Sequence, residues 1–171
     1  HLRGIDVPIE PRKQWARGLA EPKGNIKADR RAEEGRALCR VDDAGWWPAV
    51  AAALEAGAVD DDLLRGVARC LKRWPWDRPT WITWVPSARP TAERLLDSLA
   101  HRIGEVGNLP VHNAVVRRRA GAPQDQQHNA AHKLTNVWGA FAVERSELPP
   151  PDVLAGPVLV VDDLWDSGWT M

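Results

Sequence analysis

Residues 158–171 read VLVVDDLWDSGWTM. Four apolar residues run straight into Asp162 and Asp163, and a short segment with Asp166, Ser167 and Gly168 follows. An unbroken, mostly β-branched apolar run of this length predicts a strand buried in a parallel sheet. The residues after it have two readings. One is a solvated acidic turn. The other is a ligand site at the end of the strand, and the spacing favours it. Gly168 permits a tight turn that exposes successive backbone N–H groups. Ser167 and Thr170 add hydroxyls, and a helix beginning after Thr170 would point its N-terminus at an anion. Two carboxylates suit sugar hydroxyls or Mg²⁺-bound water, and the adjoining turn suits a phosphate.

Working backward from this stretch, helices and strands alternate. TWITWVP (80–86) is apolar on both faces and predicts another buried strand. PTAERLLDSLAHRIGEVG (90–107) predicts a helix with Thr91 as N-cap and Leu95, Leu99 and Ile103 as its stripe. PVHNAVVRR (110–118) predicts a further strand. Upstream, WWPAVAAALEAG (46–57) predicts a helix closed by Gly57. DDDLLRGVARCLKRW (60–74) is the clearest helix: three aspartates open it, Lys72 and Arg73 close it, and Leu63, Leu64, Val67, Cys70 and Leu71 form one stripe. GRALCRV (35–41) reads as a short strand or a helix start. Residues 119–141 read as a polar loop turning helical in its second half, and PPPDVLAG as a stiff turn. This order predicts a parallel sheet with covered faces. Ligands of such sheets bind at the carboxyl ends of strands. Two segments lie there, PSARP with Arg89, and DDLWDSGWT.

Composition narrows the function classes. The chain has 171 residues, 23 Lys+Arg and 23 Asp+Glu, so its net charge is +0 and no strongly basic nucleic-acid surface is indicated. Cys39 and Cys70 form no CxxC pair, which argues against a structural zinc or a disulfide framework and suits a reducing cytoplasm. No run of about 18 apolar residues is present, so no membrane partner is expected. His128 and His132 lie four apart without the Glu of HExxH, and no metal site is expected there. The 10 Trp, with 1 Phe and no Tyr, read first as core. The sharper alternative is a base-stacking surface around Trp74, Trp76, Trp81 and Trp84 with Lys72, Arg73 and Arg78. Arg117, Arg118 and Arg119 read either as a solvated face or as phosphate or nucleic-acid contacts. Residues 1–34 are rich in charge, Gly and Pro and read as a linker or connecting arm ahead of a domain over 35–171.

The apolar strand, acidic pair and D-S-G-W-T loop together resemble the signature of type I phosphoribosyltransferases. The resemblance implies that Asp162 and Asp163 contact ribose hydroxyls, that Ser167, Gly168, Trp169 and Thr170 bind the 5-phosphate, and that Asp166 stands at the catalytic base position. Lys133, Asn136, Gly139, Ala140 and Phe141 match in order a run of the ComF-type proteins of this class, and WVPSARP sits where they have a pyrophosphate loop. The chain over about residues 5–171, including DVPIEPRKQW, EGRALCR and DAGWW, also resembles the C-terminal region of actinobacterial RecQ-like ATP-dependent DNA helicases. The expected fold is therefore α/β: a type I phosphoribosyltransferase-like parallel sheet with flanking helices, C-terminally incomplete, preceded by the irregular arm. The implied ligand is phosphoribosyl diphosphate or a nucleotide, with Mg²⁺ arriving on the diphosphate rather than in a protein cage. DNA is implied as a partner through the parent helicase. The functional expectation is an accessory module of such a helicase; the alternative is an active phosphoribosyltransferase.

Overall fold

The structure is a computed structural model and describes residues 6–16, 22–119, 134 and 137–166. The chain folds as mixed α/β. At its centre lies strand β3 (Trp81–Trp84), which takes over the middle because all four of its residues are buried. Strand β6 (Val158–Val161) runs parallel to it, with Ile82 opposite Leu159 and Trp84 opposite Val161. On the other side of β3, Ile82 bridges Val111 in the parallel sense. The Ile82 N–H donates to the Pro110 carbonyl at 3.0 Å, and the His112 N–H to the Ile82 carbonyl at 2.9 Å. So β3 has a parallel neighbour on each side.

Helix α3 (Pro90–Gly107) makes the crossover from β3 to the Val111 segment. Its close approach depends on Gly104: a methyl there would sit 2.5 Å from Val111 Cγ2 and 2.9 Å from the Leu109 carbonyl. Helices α1 (Trp47–Ala56) and α2 (Asp61–Arg73) pack with α3 over the face of the sheet that carries Ile82, Trp84, Leu159 and Val161. Gly57 ends α1 at φ 71°, a conformation that costs glycine little. Asp60 caps α2 by accepting the Leu63 N–H at 2.7 Å. Trp46 and Trp84 are core residues, which answers the main question raised by the tryptophan count. Trp74 and Trp76 stack on each other, 4.4 Å apart and parallel, while both pack against that same core.

Several details differ from the sequence reading. Thr91 does not cap α3. The N-cap is Arg89, and Pro90 opens the helix, since its missing N–H costs nothing in the first turn. The segment 110–118 is not one strand. After the bridge at Val111 it leaves the sheet, and β4 (Val115–Arg117) pairs antiparallel with β5 (Phe141–Val143). Strand β6 is buried on one face only: Leu159 and Val161 are covered, while Val158 and Val160 are exposed. PPPDVLAG contains a short helix, Pro151–Leu154. One reading here agrees: in the segment expected to turn helical after the polar loop, the described Leu134 and Val137 are helical. The arm is not free of the domain. Strand β1 (Val7–Ile9) pairs antiparallel with β2 (Gly35–Ala37), so a ladder crosses the boundary expected between residues 34 and 35. Among the described residues no helix is long and apolar enough to cross a membrane.

Candidate functional site

The chain leaves β3 toward Val111 on one side and returns to β6 on the other. The loops following β3 and β6 therefore lie side by side at the carboxyl ends of these two strands, where ligands of parallel sheets bind. The Val85 N–H still donates to the Val161 carbonyl at 2.9 Å, so the two strands stay in register up to the point where the loops begin.

From β3 come Ser87 and Arg89. From β6 come Asp162 and Asp163. The Arg89 Nη2 group donates to Asp163 Oδ2 at 2.7 Å, and the Ser87 hydroxyl donates to the same oxygen at 3.3 Å. Asp163 is only 10% exposed whereas Arg89 is 50% exposed, so the guanidinium closes over the carboxylate from the solvent side. Glu93, in the first turn of α3, fixes the loop. It accepts the Ser87 N–H at 2.6 Å and the Trp84 indole N–H at 2.9 Å. Two rigid elements, the end of β3 and the start of α3, thus hold Ser87 and Arg89 toward β6.

On the β6 side the carboxylates are fixed by their own backbone. Asp162 accepts the Asp163 N–H at 2.9 Å, and Asp163 accepts the Leu164 N–H at 2.8 Å. Burial first, and then the neighbouring Asp163, push the Asp162 carboxyl up to about 8; the Arg117 charge opposes this in part. Asp162 therefore holds its proton to higher pH than an ordinary aspartate, and while protonated it can donate as well as accept a hydrogen bond.

The basic run 117–119 splits. Arg117 turns inward: its Nη2 donates to the Pro86 carbonyl at 3.1 Å and its guanidinium lies 4.6 Å from the Phe141 ring centroid. Its Nε is buried with no hydrogen-bond partner. Arg118 and Arg119 stay exposed, and Arg119 donates to the Trp138 carbonyl at 3.1 Å. Arg117 is the last residue of β4, and Arg118 and Arg119 lie beyond the strand. Asp166 is exposed, three residues beyond the pair. Ser167, Gly168, Trp169 and Thr170, with Lys133 and Asn136, lie outside the described residues.

Next to the acidic pair is an apolar cavity of about 800 Å³. Ile9, Leu38, Val67, Leu99 and Val161 contribute to its walls, and Asp162 and Asp163 are part of its lining. Ser87 and Glu93 escaped the sequence reading. A signal for Glu93 was available, an acidic residue in the first turn of a helix that starts just after a buried strand. Among the described residues no three His, Cys, Asp or Glu gather as a metal cage. No protein-family model, curated protein or solved structure matches the chain.

Proposed function

We propose that this chain is a phosphoribosyltransferase-like module that binds a ribose-phosphate ligand, phosphoribosyl diphosphate or a nucleotide, and that it acts as an accessory region of a RecQ-like ATP-dependent DNA helicase. One observation carries the ligand reading: the carboxyl ends of two adjacent parallel strands gather Asp162 and Asp163 from one loop and Ser87 and Arg89 from the other. A carboxyl pair with one protonated member offers both donors and acceptors to a vicinal diol. Arg89 is suited to bind a phosphate in two-pronged fashion. The Arg117 Nε, buried and unpaired behind Pro86, adds positive charge close by. Mg²⁺ would arrive on a diphosphate, and the acidic pair would meet its waters; two carboxylates suit that role better than direct caging. The cavity beside the pair leaves room for whatever the sugar carries.

The non-catalytic reading is preferred to the transferase alternative because the loop after β3 offers a single cation, Arg89, for the diphosphate that would have to leave. In that alternative, ribose 5-phosphate passes from phosphoribosyl diphosphate to a base, with Asp166 taking a proton. The helicase context rests on the sequence resemblance, and the exposed Arg118 and Arg119 are its candidate DNA contacts.

The test is a fluorescence titration of the ten tryptophans with phosphoribosyl diphosphate and Mg²⁺, in the wild-type chain and in Asp162→Asn/Asp163→Asn. Saturable binding that the double variant loses supports the site. Equal response in both proteins would sink it.

A further inference from the structure

We propose that Arg89 is the specificity-determining residue of this site: it occupies Asp163 in the free protein and releases it only to a ligand whose anionic group takes the guanidinium in exchange. This deepens the ribose-phosphate reading and rests on it. The geometry is one-sided in a useful way. Asp163 Oδ2 receives both the Arg89 guanidinium at 2.7 Å and the Ser87 hydroxyl at 3.3 Å, so its outward oxygen has no capacity left for an incoming hydroxyl. Arg89 itself is half-exposed, and its side-chain ion pair among the described residues is with Asp163. It stands at the N-cap of α3, on a loop whose near end Glu93 fixes through Ser87 and Trp84. The loop can stay in place while the long Arg89 side chain swings.

A neutral sugar that takes Asp163 must break this pair and strips from the carboxylate the cation that covers it from the solvent side. That costs more than the sugar's hydroxyls return. A ligand with the same diol and a phosphate gives Arg89 a new and equally charged partner, so the exchange is nearly even. The pair therefore selects for sugars that carry an anion, and it selects by penalising those that do not. Glu93 acts through the loop as a positioning residue and touches no ligand.

The experiment compares three compounds, ribose, ribose 5-phosphate, and phosphoribosyl diphosphate with Mg²⁺, on the full chain and on Arg89→Ala and Arg89→Gln. Indole N–H signals in NMR spectra report weak as well as tight binding, and thermal melts check that each variant is folded. The expected result is a crossed effect. Removing the guanidinium should tighten ribose by about five- to tenfold, because a half-exposed charge-assisted pair no longer competes. The same change should loosen both phosphorylated sugars by about tenfold. Phosphorylated sugars that bind the wild type, with ribose no tighter in either variant, would overturn the proposal and leave Arg89 an ordinary ligand contact. Phosphorylated sugars that bind the variants as tightly as the wild type would overturn the exchange. If none of the three compounds binds any of the proteins, the ribose-phosphate reading itself falls, and this proposal with it.

Discussion

Asp162→Asn should change the pH dependence of stability in a direction fixed by the structure. Burial and the adjacent Asp163 raise the Asp162 carboxyl from 3.8 to about 8. Between those values the folded protein holds a proton that the unfolded chain has released. The unfolded state binds fewer protons, so stability falls as pH rises through this window. Below about 4 both states are protonated and the full stability is present; above about 8 both are ionised and the loss is complete. The window spans about 4 pH units, and each is worth 1.36 kcal/mol, giving a ceiling of about 5–6 kcal/mol. Asp162 keeps part of its surface in water, so screening brings the real figure below that ceiling. Asparagine does not titrate. Urea unfolding of both proteins at pH 5 and pH 8 should therefore show the variant gaining on the wild type as pH rises, by about 1–4 kcal/mol across the interval. A difference that stays constant, or one that shifts toward the wild type at pH 8, would refute the reasoning that Asp162 is held protonated.

Further tests concern the frame that positions the site. Asp60→Ala removes the carboxylate that accepts the Leu63 N–H and should cost about 1 kcal/mol in chemical unfolding, with binding unchanged. Gly104→Ala forces a methyl against Val111 and the Leu109 carbonyl, which α3 can relieve only by moving off the sheet. The expected loss is about 1–3 kcal/mol, read from the shift in denaturation midpoint, and an unchanged midpoint would show that α3 does not need this approach.

The strong local signals survived into the structure. β3 was legible because an unbroken apolar run needs cover on both faces, and its four residues are buried. The α2 span was legible because its cap, dipole charges and apolar stripe agree. What escaped depended on partners distant in sequence. Val158 and Val160 look as apolar as Leu159 and Val161, yet only the second pair faces the helices. Residues 110–118 read as one strand, yet Val115–Arg117 finds its partner in Phe141–Val143 rather than in the parallel sheet. Thr91 has the chemistry of a cap, but the helix already starts at Pro90, which puts the cap two residues earlier, at Arg89. In the site, Asp162 and Asp163 were visible as a pair, and Arg89 stood out by its position after a strand. That Arg89 binds Asp163, 74 residues away, needed the parallel pairing of β3 with β6. The three arginines 117–119 carry identical chemistry, and what distinguishes the inward Arg117 is its place in β4, opposite Phe141 and within reach of the Pro86 carbonyl.

The central claim, that the carboxyl ends of β3 and β6 bind ribose phosphate, is tested most directly by where a ligand protects the backbone. Amide hydrogen exchange should be measured with and without phosphoribosyl diphosphate and Mg²⁺. Slowed exchange confined to the loop 85–89 and the turn 162–166 is the expected result. Unchanged exchange in both segments at saturating ligand, or protection limited to the arm 6–16, would contradict it.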